Sequence, residues 1–403
     1  MRPFASTISL DEARRRLDAA VRPIERIERI PLQTASGRVA AADVVASLYV
    51  PPFARSAMDG YAVVAADTAA ATRATPVRLK IAGRIFTGRM PHTTVHAGTC
   101  AEIATGAPLP DGADAVIMVE EVARAGDDSV DVFSAAVAGQ NIGRRGGDIS
   151  PGDSVVRGGD LLNASRIGAL AAIGCTDIEA YARPRVAVLS TGNEVVDPGQ
   201  PLGPGQIYDV NRFTLGAVVE AHGGATEPHR PAEDTLEALA AALDACAGAE
   251  IIVFSGGSSV GDHDLVVDLI GARGTMVFHG IAVKPGKPTA FALIGHTPFF
   301  GMPGNPTSCL SNAHILLVPF LRATARLPLY APRTVRARLG RRIVSTAGRR
   351  HQFYTVRLQD GEAFPAFKGS GEITSLSQAD GYIEIAADQS TVEEGTVVEV
   401  TLF

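Results

Sequence analysis

Hydrophobic and polar positions divide the chain into tracts of different period. Near the N-terminus, LDEARRRLDAA spaces its apolar residues as one face of a helix. Ser9 and Glu12 in front of it read as a capping box. The segment VAAADVVAS then runs to Pro51-Pro52, which blocks a continuing helix and marks a hinge. From about 53 to 138, short β-like runs (YAVVAAD, VRLKIAGRI, DAVIMVEEV) alternate with Gly/Pro turns and predict a small β-rich module. Residues 139–182, including the helical SRIGALAAIG, are expected to return and pack with residues 1–50, so that the β-rich module 51–138 is an insertion.

Between 183 and 325 the period changes again. RVAVLS, EIIVFSGG and TMVFHGIAV are short apolar runs, and they alternate with helical patterns such as NRFTLGAVVEAHG, DTLEALAAALDACAG and NPTSCLSNAHILLVPFL. This alternation predicts βαβ units on a mostly parallel, helix-flanked sheet. After the proline-marked LPLYAPR, residues 326–403 carry alternating runs (HQFYTVRL, GYIEIAA, TVVEVTLF) without a convincing helix, which predicts a small β-barrel or sandwich. The fold class is therefore multi-domain α/β plus β: a doubly wound α/β domain, an inserted β-rich module, an N-terminal domain of 1–50 with 139–182, and a C-terminal β-barrel.

Composition narrows the function classes. At 403 residues the chain is too long for one ordinary core, and 46% hydrophobic with 20% charged residues is a globular composition. A net charge of -6 argues against a general nucleic-acid binder, so any anion site must be built locally. The longest apolar run, ILLVPFL, is far too short to span a bilayer, and no signal-peptide h-region opens the chain. Cys100, Cys175, Cys246 and Cys309 are widely separated, with neither metal nor disulfide spacing, which fits a reducing cytoplasm.

In an open α/β sheet, ligands bind beyond the carboxyl ends of the strands. Four segments there are unusual. In STGNEV, Thr191, Gly192 and Glu194 stand at a strand end, and Asp209 and Asn211 precede the next helix, with Asn211 a candidate N-cap. In SGGSSVGDHD, Ser255, Gly256, Gly257, Ser258 and Gly261 supply the backbone N–H groups of an anion cradle. Asp262 and Asp264 beside it read either as metal or sugar ligands or as helix N-terminal acids. In VKPGKPTAFA, Lys284 and Lys287 form either a solvated basic turn or an anion seat. In GMPGNPTS, Pro303 precedes a helix start with Asn305 as N-cap, Pro306 at the first helical position and Ser308 in the first turn. No HExxH spacing and no GxSxG elbow is present, which disfavours a zinc hydrolase and a serine hydrolase.

PPFARSAMDGYAV, TGAPLPDGADAV, STGNEV, SGGSSVGDHD, VKPGKPTAFA and GMPGNPTS occur in that order, followed by FKGSGEITSLSQADGYIEI with Ser370. The ordered set resembles the molybdopterin molybdenumtransferase (molybdenum insertase) family, which includes the C-terminal domain of gephyrin. The resemblance implies a homodimer of elongated four-domain subunits, with 1–50 and 139–182 forming the dimerisation domain, 51–138 the inserted module, 183–325 the molybdopterin-binding domain and 326–403 the barrel. It implies a reaction that takes adenylylated molybdopterin and molybdate with Mg2+, releases AMP and forms molybdenum cofactor, the substrate arriving from a molybdopterin adenylyltransferase. It also implies roles: Asp59, Glu194, Asp234, Asp264 and Lys284 in catalysis; Asp59, Glu194 and Asp264 toward Mg2+; and Thr105, Lys287, Ser308 and Ser370 toward substrate, with Asp59 reaching the site across the dimer.

Several positions depart from the family pattern. Gly280 replaces a usual Lys, Thr355 a usual molybdate-contacting Arg (with Arg349, Arg350 or Arg357 as substitutes), Ala54-Arg55 an Asp-Asn pair, and Asn193 an Asp beside Glu194. The alternative readings are a divergent paralogue that inserts tungstate and a pterin-binding scaffold without turnover. The retained charged set favours an enzyme, since a scaffold does not require it.

Overall fold

The computed structural model describes residues 7–256 and 265–403. Of the predicted site residues, Gly257, Ser258, Gly261 and Asp264 lie outside the described residues, as does Asp262. The chain forms two compact units: Met1–Glu28, Gly37–Val39 and Glu179–Phe403 make the larger, and Arg29–Ser36 with Ala40–Ile178 the smaller. The four-part division expected from the sequence is finer than this.

The larger unit is built on a six-stranded sheet in the order Ala225–Pro228, Arg185–Ser190, Ile251–Ser255, Thr297–Met302, Ala290–Ile294, Thr275–His279. The first four strands run parallel. The two central runs RVAVLS and IIVFS are buried almost throughout, as continuous apolar strands must be when both faces are covered. Side chains alternate between the faces. Val186, Val188, Ile251 and Val253 join a cluster with Leu10 and Leu17 of the helix Leu10–Ala20, Leu215 of the helix Asn211–Ala221, and the helical run 306–324. Ala187, Leu189, Ile252 and Phe254 join a second cluster with Leu239 and Leu243 of Leu236–Ala245 and Leu269 of Leu265–Arg273. The doubly wound layering is thus a direct result of the alternation.

TMVFH forms the edge strand Thr275–His279, which runs in the same direction as the four parallel strands but is separated from them by the reversed strand Ala290–Ile294, antiparallel to both its neighbours. The reason is local: Ala290–Ile294 and Thr297–Met302 are joined through only Gly295 and His296, and a two-residue loop can link only antiparallel strands. The Ser9 cap forms, with Glu12 N–H donating to Ser9 Oγ at 3.2 Å. The capping box is only half made, because the Glu12 carboxylate turns to Arg15 and Arg16.

In the C-terminal region, Thr334–Leu339, His351–Gln359, Glu362–Pro365, Gly381–Ile385 and Val397–Leu402 close into a five-stranded barrel, sealed by pairing of His351–Gln359 with Gly381–Ile385. The tail is not wholly β, since Thr374–Ser377 form one helical turn. A two-residue strand from the α/β region, Val283–Lys284, pairs in parallel with the barrel at His351 and Gln352.

The smaller unit carries its own six-stranded sheet, in the order Ala115–Met118, Gly60–Val63, Thr99–Ile103, Val77–Ile85, Ser129–Val132, Val122–Arg124. Val44–Val45 pairs with Ser154–Val156, and Arg55–Ser56 with Ile142–Gly143. The first of these pairings joins a segment before residue 51 to one after residue 138. Among the described residues no helix is long and apolar enough to cross a membrane.

Candidate functional site

The site lies at the carboxyl ends of the parallel strands of the larger unit. Ser190 and Ser255 end neighbouring strands in register. Beyond them, Thr191 N–H donates to Ser255 O at 2.8 Å, extending the pairing by one step. Ser190 Oγ donates to Asp209 Oδ1 at 2.7 Å, and Asp209, almost fully buried, also takes the Arg212 backbone N–H at 3.0 Å and pairs with Arg212 Nε at 3.3 Å. The helix Asn211–Ala221 is therefore capped by the Asp209 carboxylate. Asn211, expected as the N-cap, is instead the first helical residue.

Asn211 has a different task. Its Nδ2 donates to both Ser255 Oγ and Gly304 O, each at 2.7 Å, and Ser255 Oγ lies 3.3 Å from Pro303 O. One buried amide thus ties the end of a strand to the PGNP turn. The Ser255 hydroxyl is committed to this internal latch, because a buried hydroxyl must be satisfied, while Ser255 itself lines the cavity.

The acidic side of the site comes from two loops. Gly192 N–H donates to Ala232 O at 3.1 Å, which aligns the STGNEV turn with the segment before Leu236–Ala245. The Glu194 carboxylate folds back over Gly192, so closely that a Cβ there would lie 2.6 Å from Glu194 Oε2. Asn193 Oδ1 accepts the Asp234 N–H at 3.1 Å. Asp234 stands just before the helix Leu236–Ala245, whose N-cap is Thr235, its hydroxyl accepting the Ala238 N–H. Asp234 is left with Oδ1 buried and without a hydrogen-bond partner. Burial and the nearby Glu194 carboxylate raise its pKa above the usual value, partly offset by the Asn193 contact. The departure at Asn193 puts a neutral amide where a third carboxylate would add to this repulsion.

The basic side comes from the KPGK loop and the barrel. Lys284 Nζ donates to the carbonyl of Thr346, at 2.9 Å, and to its hydroxyl. Burial and the Arg350 guanidinium lower the Lys284 pKa. Arg350 Nε donates to Ala347 O at 2.8 Å. Lys368 is held by Thr374 Oγ1 at 3.0 Å and Gln378 Oε1 at 3.3 Å. The FKGSGE loop is fastened to the start of the helical run 306–324: Thr307 N–H donates to Ser370 O, Thr307 Oγ1 to Glu372 O, and Asn305 Nδ2 to Ser370 Oγ. Asn305 occupies the N-cap position and Pro306 the first helical position, as expected, but the Asn305 side chain bridges to the barrel rather than capping.

These elements surround one cavity of ≈ 1390 Å³. Every described predicted residue of the larger unit lines it except Gly192, which adjoins Thr191. Asp59 and Thr105 belong to the smaller unit, where the Thr105 N–H donates to Asp59 Oδ1 at 2.8 Å, so those two motif turns are joined. Lys368, Thr346 and Asp209 were not singled out for roles in the sequence. Lys368 had a signal, its place inside FKGSGE; Thr346 had none. Of the three arginines weighed as substitutes at Thr355, Arg350 lines the cavity, while Arg349 and Arg357 are exposed. Thr355 itself is buried in the barrel wall.

Among the described residues no group of three or more His, Cys, Asp or Glu side chains converges as a metal site. Mg2+ does not need one, because it is commonly held by one or two carboxylates plus water and substrate phosphates. Glu194 and the unpartnered Asp234 Oδ1 are donors of that kind.

Family models match almost the whole chain. The MoeA N-terminal region (domain I and II) covers residues 8–174, a probable molybdopterin binding domain residues 187–323, and the MoeA C-terminal region (domain IV) residues 336–403. The chain is 37% identical over 392 residues to molybdopterin molybdenumtransferase 2 of Mycobacterium tuberculosis, covering 94% of this chain and 95% of that protein. It is 35% identical over 315 residues to the molybdopterin molybdenumtransferase of Haemophilus influenzae, covering 78% and 77%. Among solved structures, a molybdopterin biosynthesis MoeA protein from Pyrococcus horikoshii aligns over 98% of this chain and 99% of its own, with a TM-score of 0.83 and 39% identity. The chain belongs to the molybdopterin molybdenumtransferase family of molybdenum cofactor biosynthesis.

Proposed function

We propose that this chain is a molybdenum insertase that takes adenylylated molybdopterin and molybdate, cleaves the pyrophosphate link with release of AMP, and forms molybdenum cofactor. The observation that carries the reading is the mixed charge of the cavity lining: the carboxylates of Glu194 and Asp234 together with the cations Lys284 and Arg350, around a space of ≈ 1390 Å³. That volume exceeds the usual small-molecule pocket, as a substrate with a pterin and a nucleotide end requires.

In this reading the Gly/Ser segment from Ser255 to Gly261, with Ser308 early in the helical run, seats the phosphates through backbone N–H groups. Lys284, Lys287 and Ser370 attract molybdate and stabilise charge on oxygen during transfer. Glu194, Asp234 and Asp264 orient water at the phosphoanhydride and provide the carboxylates for Mg2+. When bound, Mg2+ supplies charge neutralisation on the phosphate oxygens. A homodimer brings Asp59 and Thr105 from a second copy, and a molybdopterin adenylyltransferase supplies the substrate in the cytoplasm.

The test is to incubate the purified chain with adenylylated molybdopterin, Mg2+ and molybdate, following AMP and the reactivation of a molybdenum-free apoenzyme. Molybdate-dependent release of AMP with active cofactor is expected, and Glu194→Gln should lower kcat/KM by about 100-fold or more. A folded protein that releases no AMP would falsify the proposal.

A further inference from the structure

The short helix Pro306–Asn312 buries several polar side chains. Thr307, with Asn305 before it, holds the FKGSGE loop, and Cys309 Sγ lies 3.5 Å from Ser255 Oγ at the strand end. Asn312, the last residue, faces a third element. It is fully buried and does not line the cavity. Its Nδ2 donates to Gly286 O at 2.8 Å and to Thr289 Oγ1, and Thr289 Oγ1 in turn donates to Gly286 O at 2.9 Å. A carbonyl between the two lysines of the KPGK loop is thus gripped by two buried side chains, one of them from the helix. Gly286 has a φ of +100°, and a Cβ on it would collide with the Asn312 amide, so loop and helix are in direct contact. Stability does not recommend an asparagine at this place, because its Oδ1 is buried without a hydrogen-bond partner, a loss that an alanine would not incur. The winding also changes directly after Asn312, to an i→i+5 pattern over Ala313–Leu317, a departure frequent at functional sites.

The two lysines of the loop are fastened differently. Lys284 is held from the barrel, through its strand pairing with Gln352 and the contacts of its Nζ with Thr346. The peptide that leads into Lys287 is the one Asn312 grips, and the Lys287 carbonyl beyond it accepts the N–H groups of Ile281 at 3.0 Å and Thr289 at 2.9 Å. We propose that Asn312 is a positioning residue: through Gly286 it sets where Lys287 stands at the cavity wall, and so the affinity of the site for the anion that this lysine meets. The inference rests on the insertase reading for the role of Lys287 toward molybdate; the fastening itself does not depend on it.

The test uses the full chain and two readouts. Hydrogen exchange reports the fastening: in Asn312→Ala the Ile281 and Thr289 amides, both donors to Lys287 O, should exchange about tenfold faster, while those of the strand Thr297–Met302 stay as in the parent. Turnover, as AMP release with molybdate and adenylylated molybdopterin varied separately, reports the consequence. The molybdate KM should rise by about fivefold or more, with the KM for the pterin substrate within about twofold. A general loss of folded protein would instead lower kcat and leave both KM values alone. Asn312→Thr, which keeps one donor, should recover part of the affinity. In a Lys287→Ala background, Asn312→Ala should move the molybdate KM by less than about twofold, because the lysine it acts through is gone. Thr289→Val removes the other grip; it should shift exchange and KM in the same direction, and it carries the test if Asn312→Ala does not fold. Two results overturn the inference: a folded Asn312→Ala or Thr289→Val variant with the exchange and molybdate KM of the parent, or an effect of Asn312→Ala as large in the Lys287→Ala background as in the parent. Faster exchange in a chain that releases no AMP upholds the fastening and sinks the insertase reading instead.

Discussion

Gly256 follows Ser255 in the SGGSSVGD segment, and its replacement by alanine tests how tightly the strand ends are fitted. Its φ is +103°, and a Cβ built there lies 2.5 Å from Thr191 O and 2.9 Å from Thr191 Oγ1. A carbon–oxygen contact relaxes at about 3.3 Å, so roughly 0.8 Å must be recovered. The neighbour that would have to yield is backbone, and it belongs to the residue whose N–H is bonded to Ser255 O. The left-handed conformation costs an alanine about 1–2 kcal/mol, and the forced displacement adds about 1–3 kcal/mol. Gly248→Ala is the matched control: its φ is +96°, and the nearest atom to a Cβ is Arg185 Nη2 at 3.9 Å. Urea unfolding followed by circular dichroism, with the same transition compared in each variant, should place Gly256→Ala below Gly248→Ala by about 1–3 kcal/mol. AMP release should fall with it, because the shift of Thr191 carries Glu194 along. If the two glycine variants unfold within about 0.5 kcal/mol of each other, the account of close fit at the strand ends is wrong.

Two further outcomes concern protonation. Asp234 has a raised folded pKa, so at pH values above it the folded state carries an ill-solvated charge that the unfolded chain hydrates freely. Asp234→Asn should therefore stabilise the protein at neutral pH by up to about 1 kcal/mol, with the gain vanishing below about pH 4, while slowing turnover; a variant less stable than the parent at pH 7 would refute this. His314, packed against His222 and Phe403, is held neutral with its pKa lowered to about 4, chiefly by burial and then by His222, itself lowered by burial and Arg322. The unfolded chain takes up a proton near pH 6.5 that folded His314 refuses until about pH 4, so stability should fall through that window by up to ~3 kcal/mol. Replacing His314 by Leu should flatten that part of a stability–pH profile, and an unchanged slope would exclude the assignment.

The parts of this molecule governed by local period were legible in the sequence. Continuous apolar runs announced the buried strands Arg185–Ser190 and Ile251–Ser255, and the alternating tail announced the barrel. The reversed strand Ala290–Ile294 was not legible, because its direction depends on the two-residue connection Gly295–His296 that follows it. At the site, residues at strand ends and at the PGNP turn could be found from position. What each polar side chain touches could not: Asn211 looked like a cap but is a latch, and the Ser255 hydroxyl is its partner. Arg350 lies beside the barrel strand His351–Gln359, and only folding brings its charge beside Lys284.

The parallel pairing of Val283–Lys284 with His351–Gln352 bears on how such proteins can be recombined. A chimera that joined this α/β region to the barrel of a relative at residue 326 would cut no strand of either sheet, yet would give Lys284 a foreign neighbour in place of Thr346. The exchangeable block is therefore not a domain in the chain-order sense. It consists of the barrel together with residues 283–284, and swaps that move both should keep the lysine where its own barrel holds it.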